Sequence, residues 1–233
     1  MALSRQLFAA AAILGLVISN ADGQDNTVPS TIEQPVLQGF LAAASANDMG
    51  SVIAGLESGI PVDSADASGR TALMIATRAN AIDSARALIE AGADVNAKDD
   101  LQDSPYLYAG AEGRLEILKM TIAAGADLNA VNRYGGTALI PAAHHGHTEV
   151  VRYLLTTDTN IDHVNFLGWT ALLEAVILGD GGETYQKIVG LLLQAGADTG
   201  IGDKEGVTAL EHAKSRGYTE ILRLLEKADA KQD

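Results

Sequence analysis

The chain has 233 residues, 47% of them hydrophobic and only 4% aromatic, and a formal net charge of −14. Thirty Asp and Glu against 16 Lys and Arg give a surface that repels phosphate backbones, so nucleic acid is not the expected ligand. The absence of cysteine removes disulfides, thiolate metal sites and a cysteine nucleophile.

The first segment, MALSRQLFAAAAILGLVISNADG, places Arg5 before an uncharged, largely apolar run from Leu7 to Ile18, followed by Ser19-Asn20-Ala21. This is the layout of a secretory signal peptide, with cleavage expected after Ala21. A helix of that length spans about 18 Å against a hydrocarbon core of ~30 Å, so no membrane span is expected once residues 1–21 are removed. Residues 22–34 are polar and contain Pro29, and they read as a flexible lead-in.

From residue 35 the chain repeats. GRTALMIAT, GGTALIPAA, GWTALLEAV and GVTALEHAK are one phrase, with Thr at 71, 137, 170 and 208 and Ser104 in a weaker copy, QDSPYLYAG. The spacings are 33, 33, 33 and 38 residues. A second phrase, AGAD, begins at Ala91, Ala124 and Ala195. Between the two run helical stripes such as Val150, Val151, Leu154 and Leu155, or Ile188, Val189, Leu192 and Leu193, which are expected to be core. The Thr residues suit helix N-caps, and Gly92, Gly125 and Gly196 suit the left-handed residue that ends a helix, with Asp158 expected in that role in the fourth unit. Units fall near 35–65, 66–98, 99–131, 132–164, 165–202 and 203–231, the first and last being polar-faced caps. The fifth carries a five-residue insertion within LGDGGETYQK, read as a surface loop because the ligand spacing of a calcium loop is missing.

These phrases resemble the ankyrin repeat, whose period is 33 residues and whose signature is T-P-L-H-x-A. The match runs from about Val36 to Lys227. Pro is mostly replaced by Ala, and the signature His by Met74, Leu107, Ile140, Leu173 and Glu211. The wording as a whole is similar to exported bacterial ankyrin proteins. The resemblance implies an all-α solenoid of about six helix-turn-helix units joined by short hairpin turns. It also implies a protein partner bound by turn tips and first-helix surfaces, a periplasmic or secreted location, and neither a cofactor nor catalysis. No nucleophile elbow, phosphate loop or paired-His motif contradicts the last point.

On that pattern the contact positions are unevenly filled. Unit three offers Asp99, Asp100, Asp103 and Glu112. Units four and five offer Tyr134, Phe166, Leu167, Trp169, Ile177 and Leu178, where sister units carry Ala67, Ser68 and Arg70 or Lys204, Glu205 and Val207. Trp169 and its neighbours either pack on one another or face a partner, and the second is the expectation because the sister units do without aromatics. His144 and His145 fall on the same face. With His147 they form the strongest candidate for a divalent metal, although Gly146-His147 fills the usual inter-helix turn of the family. The expected function is therefore recognition of a protein, with the acidity favouring a basic one, by a monomer. One alternative is an inhibitor or immunity-type protein that neutralises a basic secreted partner. Another is a metal or redox accessory using His144, His145 and His147.

Overall fold

The computed structural model describes residues 33–230. The expected signal peptide and nearly all of the lead-in lie outside the described residues. Within them, helices pair as α1 (Gln34–Ser45) with α2 (Met49–Glu57), α3 (Ala72–Ala79) with α4 (Ile82–Glu90) and α5 (Pro105–Ala111) with α6 (Leu115–Ala123). The series continues with α7 (Leu139–His144) and α8 (Thr148–Leu154), α9 (Ala171–Ile177) and α10 (Glu183–Gln194), and α11 (Ala209–Arg216) and α12 (Thr219–Asp229). Odd-numbered helices pack on odd and even on even, so two parallel rows form, and each hairpin ties one row to the other. The fold is the expected helical solenoid. Its turns carry only two isolated bridges, Ala65 with Thr71 and Gly202 with Thr208, among the described residues.

One register explains each row. Ala76, Ala109, Ala142, Ala175 and Ala213 recur on the first helices and are fully buried, because only a methyl group fits where adjacent first helices meet. Gly110 is tighter still: a Cβ there would lie 2.8 Å from the Cβ of Ala138. On the second helices Leu88, Leu154, Leu192 and Leu225 fill the space between the rows. Thr121 takes that place in unit three and returns its hydroxyl to Leu118 O at 2.8 Å, so the buried oxygen is satisfied. A single unit has no partner for these faces; stacking supplies it.

Most helix starts follow the expected chemistry. Thr71, Ser104, Thr170 and Thr208 each accept an amide three residues on, and Glu211 completes a capping box with Thr208. Thr137 does not cap. Its successor at i+4 is Pro141, which has no N–H to give to Thr137 O, and Ile140 N takes that carbonyl instead at 3.2 Å. The Thr137 hydroxyl is left buried without a partner, and α7 begins two residues later. At helix ends, Gly92, Gly125 and Gly196 adopt positive φ as expected. Asp158 does not. The chain leaves α8 through Thr156 and Thr157, whose hydroxyls donate to Tyr153 O and Leu154 O at 2.7 and 2.6 Å. The free carbonyls are met without a left-handed residue.

Candidate functional site

Between each second helix and the next first helix the chain makes a tight finger, and one residue holds each of the five. Asp66, Asp99, Asn132, Asn165 and Asp203 each accept two backbone amides, from positions i+2 and i+4, at 2.9–3.1 Å. An Asp or Asn side chain mimics a backbone turn in this way. Asp99 is therefore buried framework, not part of an acidic surface as expected from its charge. Neighbouring fingers also bond directly, Phe166 N to Tyr134 O at 2.9 Å and Asp100 N to Ser68 O at 3.1 Å.

With the fingers held from inside, large apolar side chains nevertheless stand exposed on and beside their tips. Phe166 is 68% exposed, Tyr134 54%, Leu167 48% and Leu178 41%. The Phe166 ring covers Gly135 of the preceding finger: a Cβ there would meet it at 2.5 Å. It does not stack on Trp169, and aromatic pairing of those two rings is absent among the described residues. Trp169 and Ile177 are half-buried. Arg133 sits 4.8 Å over the Tyr134 ring and also reaches Asp103 at 3.2 Å. Burial pushes the Asp103 carboxyl up, and Arg133 offsets part of that.

Leu167, Leu178, Tyr134, Asp103, Glu112, His144 and His145 line one groove of about 570 Å³ on the first-helix side. Asp100, Phe166, Trp169 and Ile177 lie outside it. The groove also holds Arg78, at a first-helix contact position of unit two and stacked 4.6 Å over Tyr108, and Glu174, which sequence reasoning did not place on the contact surface. Glu174 is only 6% exposed. Its Oε1 accepts from Asn165 Nδ2 at 2.9 Å, and His144 Nδ1 stands 3.6 Å from Oε2. Burial raises the carboxyl to about 7, only partly opposed by the Asn165 bond. Burial also lowers His144, as does the neighbouring His145. Each charge is thus disfavoured on its own, and the contact is not a firm ion pair at neutral pH. Unit six has the counterpart of this bond, His212 Nε2 to Asp203 Oδ2 at 2.7 Å.

The three histidines are close but differently employed. The His144 and His145 rings are 4.6 Å apart and tilted, and those of His145 and His147 are 5.9 Å apart edge to face. His145 Nδ1 is 2.6 Å from Ala111 O. The His147 ring covers Gly113, where a Cβ would come within 2.6 Å. Two of the three imidazoles thus bind unit four to unit three. The insertion of unit five is similarly fastened. Tyr185 donates to His144 O at 2.7 Å and Tyr218 to Gly179 O at 2.9 Å, with the Tyr218 ring against Gly181. Asp180 accepts from Gly182 N at 2.7 Å, and Glu183 opens α10.

A family profile described as ankyrin repeats (3 copies) matches residues 16–99 and 106–203. The crystal structure of an ankyrin repeat domain from Acinetobacter baumannii AYE is 58% identical; the match covers 82% of this chain and 97% of that one, with a TM-score of 0.79. A second crystallised ankyrin repeat protein is 46% identical over 84% of this chain and 99% of its own, also with a TM-score of 0.79. A protein of Escherichia coli K12 named for its ankyrin repeats, YahD, is 51% identical over 57 residues, 24% of this chain and 28% of its own length. The period, the two helical rows and these matches agree: the chain belongs to the ankyrin-repeat family.

Proposed function

We propose that this chain is a non-enzymatic binding module that works outside the cytoplasm and seats a protein partner on the fingertips and first-helix groove of units three to five. One observation carries the reading. Three large side chains, Tyr134, Phe166 and Leu167, stand exposed on the successive fingers of units four and five, where sister units carry Ala67, Ser68, Lys204 or Glu205, and Leu178 stands exposed at the end of α9, where sister units carry Ala79, Glu112, His145 or Arg216. A contiguous apolar surface left in water marks a contact region, and aromatic anchors dominate interface energetics. The net charge of −14 favours a basic partner. The mechanism is recognition by a preformed surface, since the fingers are hydrogen-bonded from within before any partner arrives.

The test compares proteins captured from the exporting cell by wild type and by a Phe166→Ala/Leu167→Ala double variant. Because both side chains are largely exposed, the variant is expected to keep its stability within about 1 kcal/mol while losing the specific partner. An identical captured set for both would sink the reading. Export is checked by fractionation and by an intact mass beginning at Asp22.

A further inference from the structure

We propose that the groove floor at Glu174 receives one cationic side chain, an arginine or lysine, of the protein partner; the inference rests on the concave-face reading above and assigns the chemistry of its central contact. Glu174 occupies a first-helix position that its sister units fill with Ile75, Tyr108, Pro141 and His212, so the fold does not require a carboxylate there. The residue is buried, yet it lines the groove. Only one oxygen is hydrogen-bonded, to Asn165, and Oε2 accepts no hydrogen bond among the described residues. A buried carboxylate in that condition is unfavourable unless something completes it.

The groove's other acids do not share this state. Asp103 has Arg133 at 3.2 Å, and Glu112 is exposed. The two arginines of the groove are engaged, Arg78 over Tyr108 and Arg133 with Tyr134 and Asp103. Glu174 is the groove's buried acid with neither an arginine nor a lysine against it; the basic group that faces it, His144 at 3.6 Å, is held toward its neutral form by burial and by the neighbouring His145. Its surroundings suit a long cationic side chain. Leu167, Leu178 and Pro141 offer an apolar path for the stem, and the carboxylate at the end of it meets the head. The excess of acid over the whole chain steers such a partner toward the site. Binding a cation also draws the proton off Glu174, so association strengthens as pH rises through neutrality.

The experiment selects short peptides from a random displayed library against the full chain at about pH 8, keeping those that lose binding on a Tyr134→Ala/Leu167→Ala variant. The expected peptides share an arginine or lysine at one position. Replacing it by citrulline or norleucine should weaken binding roughly ten- to a hundredfold on wild type and less than about threefold on Glu174→Gln, which retains an oxygen for Asn165. Groove-dependent peptides with no common cation, or with the same loss on both proteins, would overturn this inference and leave the concave-face reading standing. Failure to find any groove-dependent peptide would overturn both.

Discussion

Replacing Glu174 by glutamine is expected to make the protein more stable, and only above a definite pH. Burial holds the carboxyl at about 7 in the folded chain against an ordinary 4.5. Between those values the folded state binds the proton and the unfolded state does not, so stability falls as pH rises through the window. At about 1.4 kcal/mol per pH unit, wild type loses roughly 3 kcal/mol through this one group between about pH 4 and about pH 8. Glutamine has no proton to lose, nearly the same shape, and an oxygen for Asn165 Nδ2. The variant should therefore exceed wild type by less than about 1 kcal/mol near pH 5 and by about 3 kcal/mol near pH 8, a midpoint rise of about 6–12 °C for a domain of this size. Denaturant unfolding of both proteins at the two pH values measures the difference directly, and titrations common to both cancel. An advantage that is absent near pH 8, or equal at both pH values, would refute the assignment of a buried, proton-retaining carboxyl.

Three further outcomes are expected. Asn165→Ala removes the acceptor for Leu167 N and Trp169 N and the donor to Glu174; it should cost about 2–4 kcal/mol and speed hydrogen exchange at those two amides. Gly135→Ala forces a side chain onto a residue at φ +74 and into the Phe166 ring; a loss of about 1–2 kcal/mol is expected, with the ring shifted off the finger as read by NMR contacts. Tyr218→Phe deletes the bond to Gly179 O; it should cost about 1 kcal/mol and raise exchange from Gly179 to Gly182 while the fingers keep theirs.

The period was legible because every unit must bury the same two faces, and a repeated burial leaves a repeated alphabet of Ala and Leu. Caps and left-handed glycines were legible for a simpler reason: they depend on one residue's own preferences. Thr137 and Asp158 failed where a neighbour intervened, Pro141 by lacking an N–H and Thr156 with Thr157 by supplying hydroxyls. The Asp or Asn recurring at 66, 99, 132, 165 and 203 is visible as the start of each unit, but its two-amide role depends on the turn that follows it, so by charge alone Asp99 reads as surface. Glu174 was harder. Nothing in TALLEAV alone marks its carboxylate as buried; the burial comes from where the stack places it, among residues of its own unit and of unit four. Aligning first-helix positions across units, where an acid replaces Ile75, Tyr108 and Pro141, is the signal that finds it.

The residues that hold a finger and the residues that cap it are different residues. Asn165 fixes the loop through its own side chain, while Phe166 and Leu167 contribute surface and one backbone bond from Phe166 N. Side chains at the tips can therefore change with little effect on the loop beneath them, since the bond to Tyr134 O belongs to the main chain and survives any substitution but proline. Selection acting on partner choice and selection acting on foldability fall on separate positions of the same loop. In such a scaffold a change of partner does not require a change of shape, and its history would be written at Tyr134, Phe166 and Leu167 while Asn132 and Asn165 stay as they are.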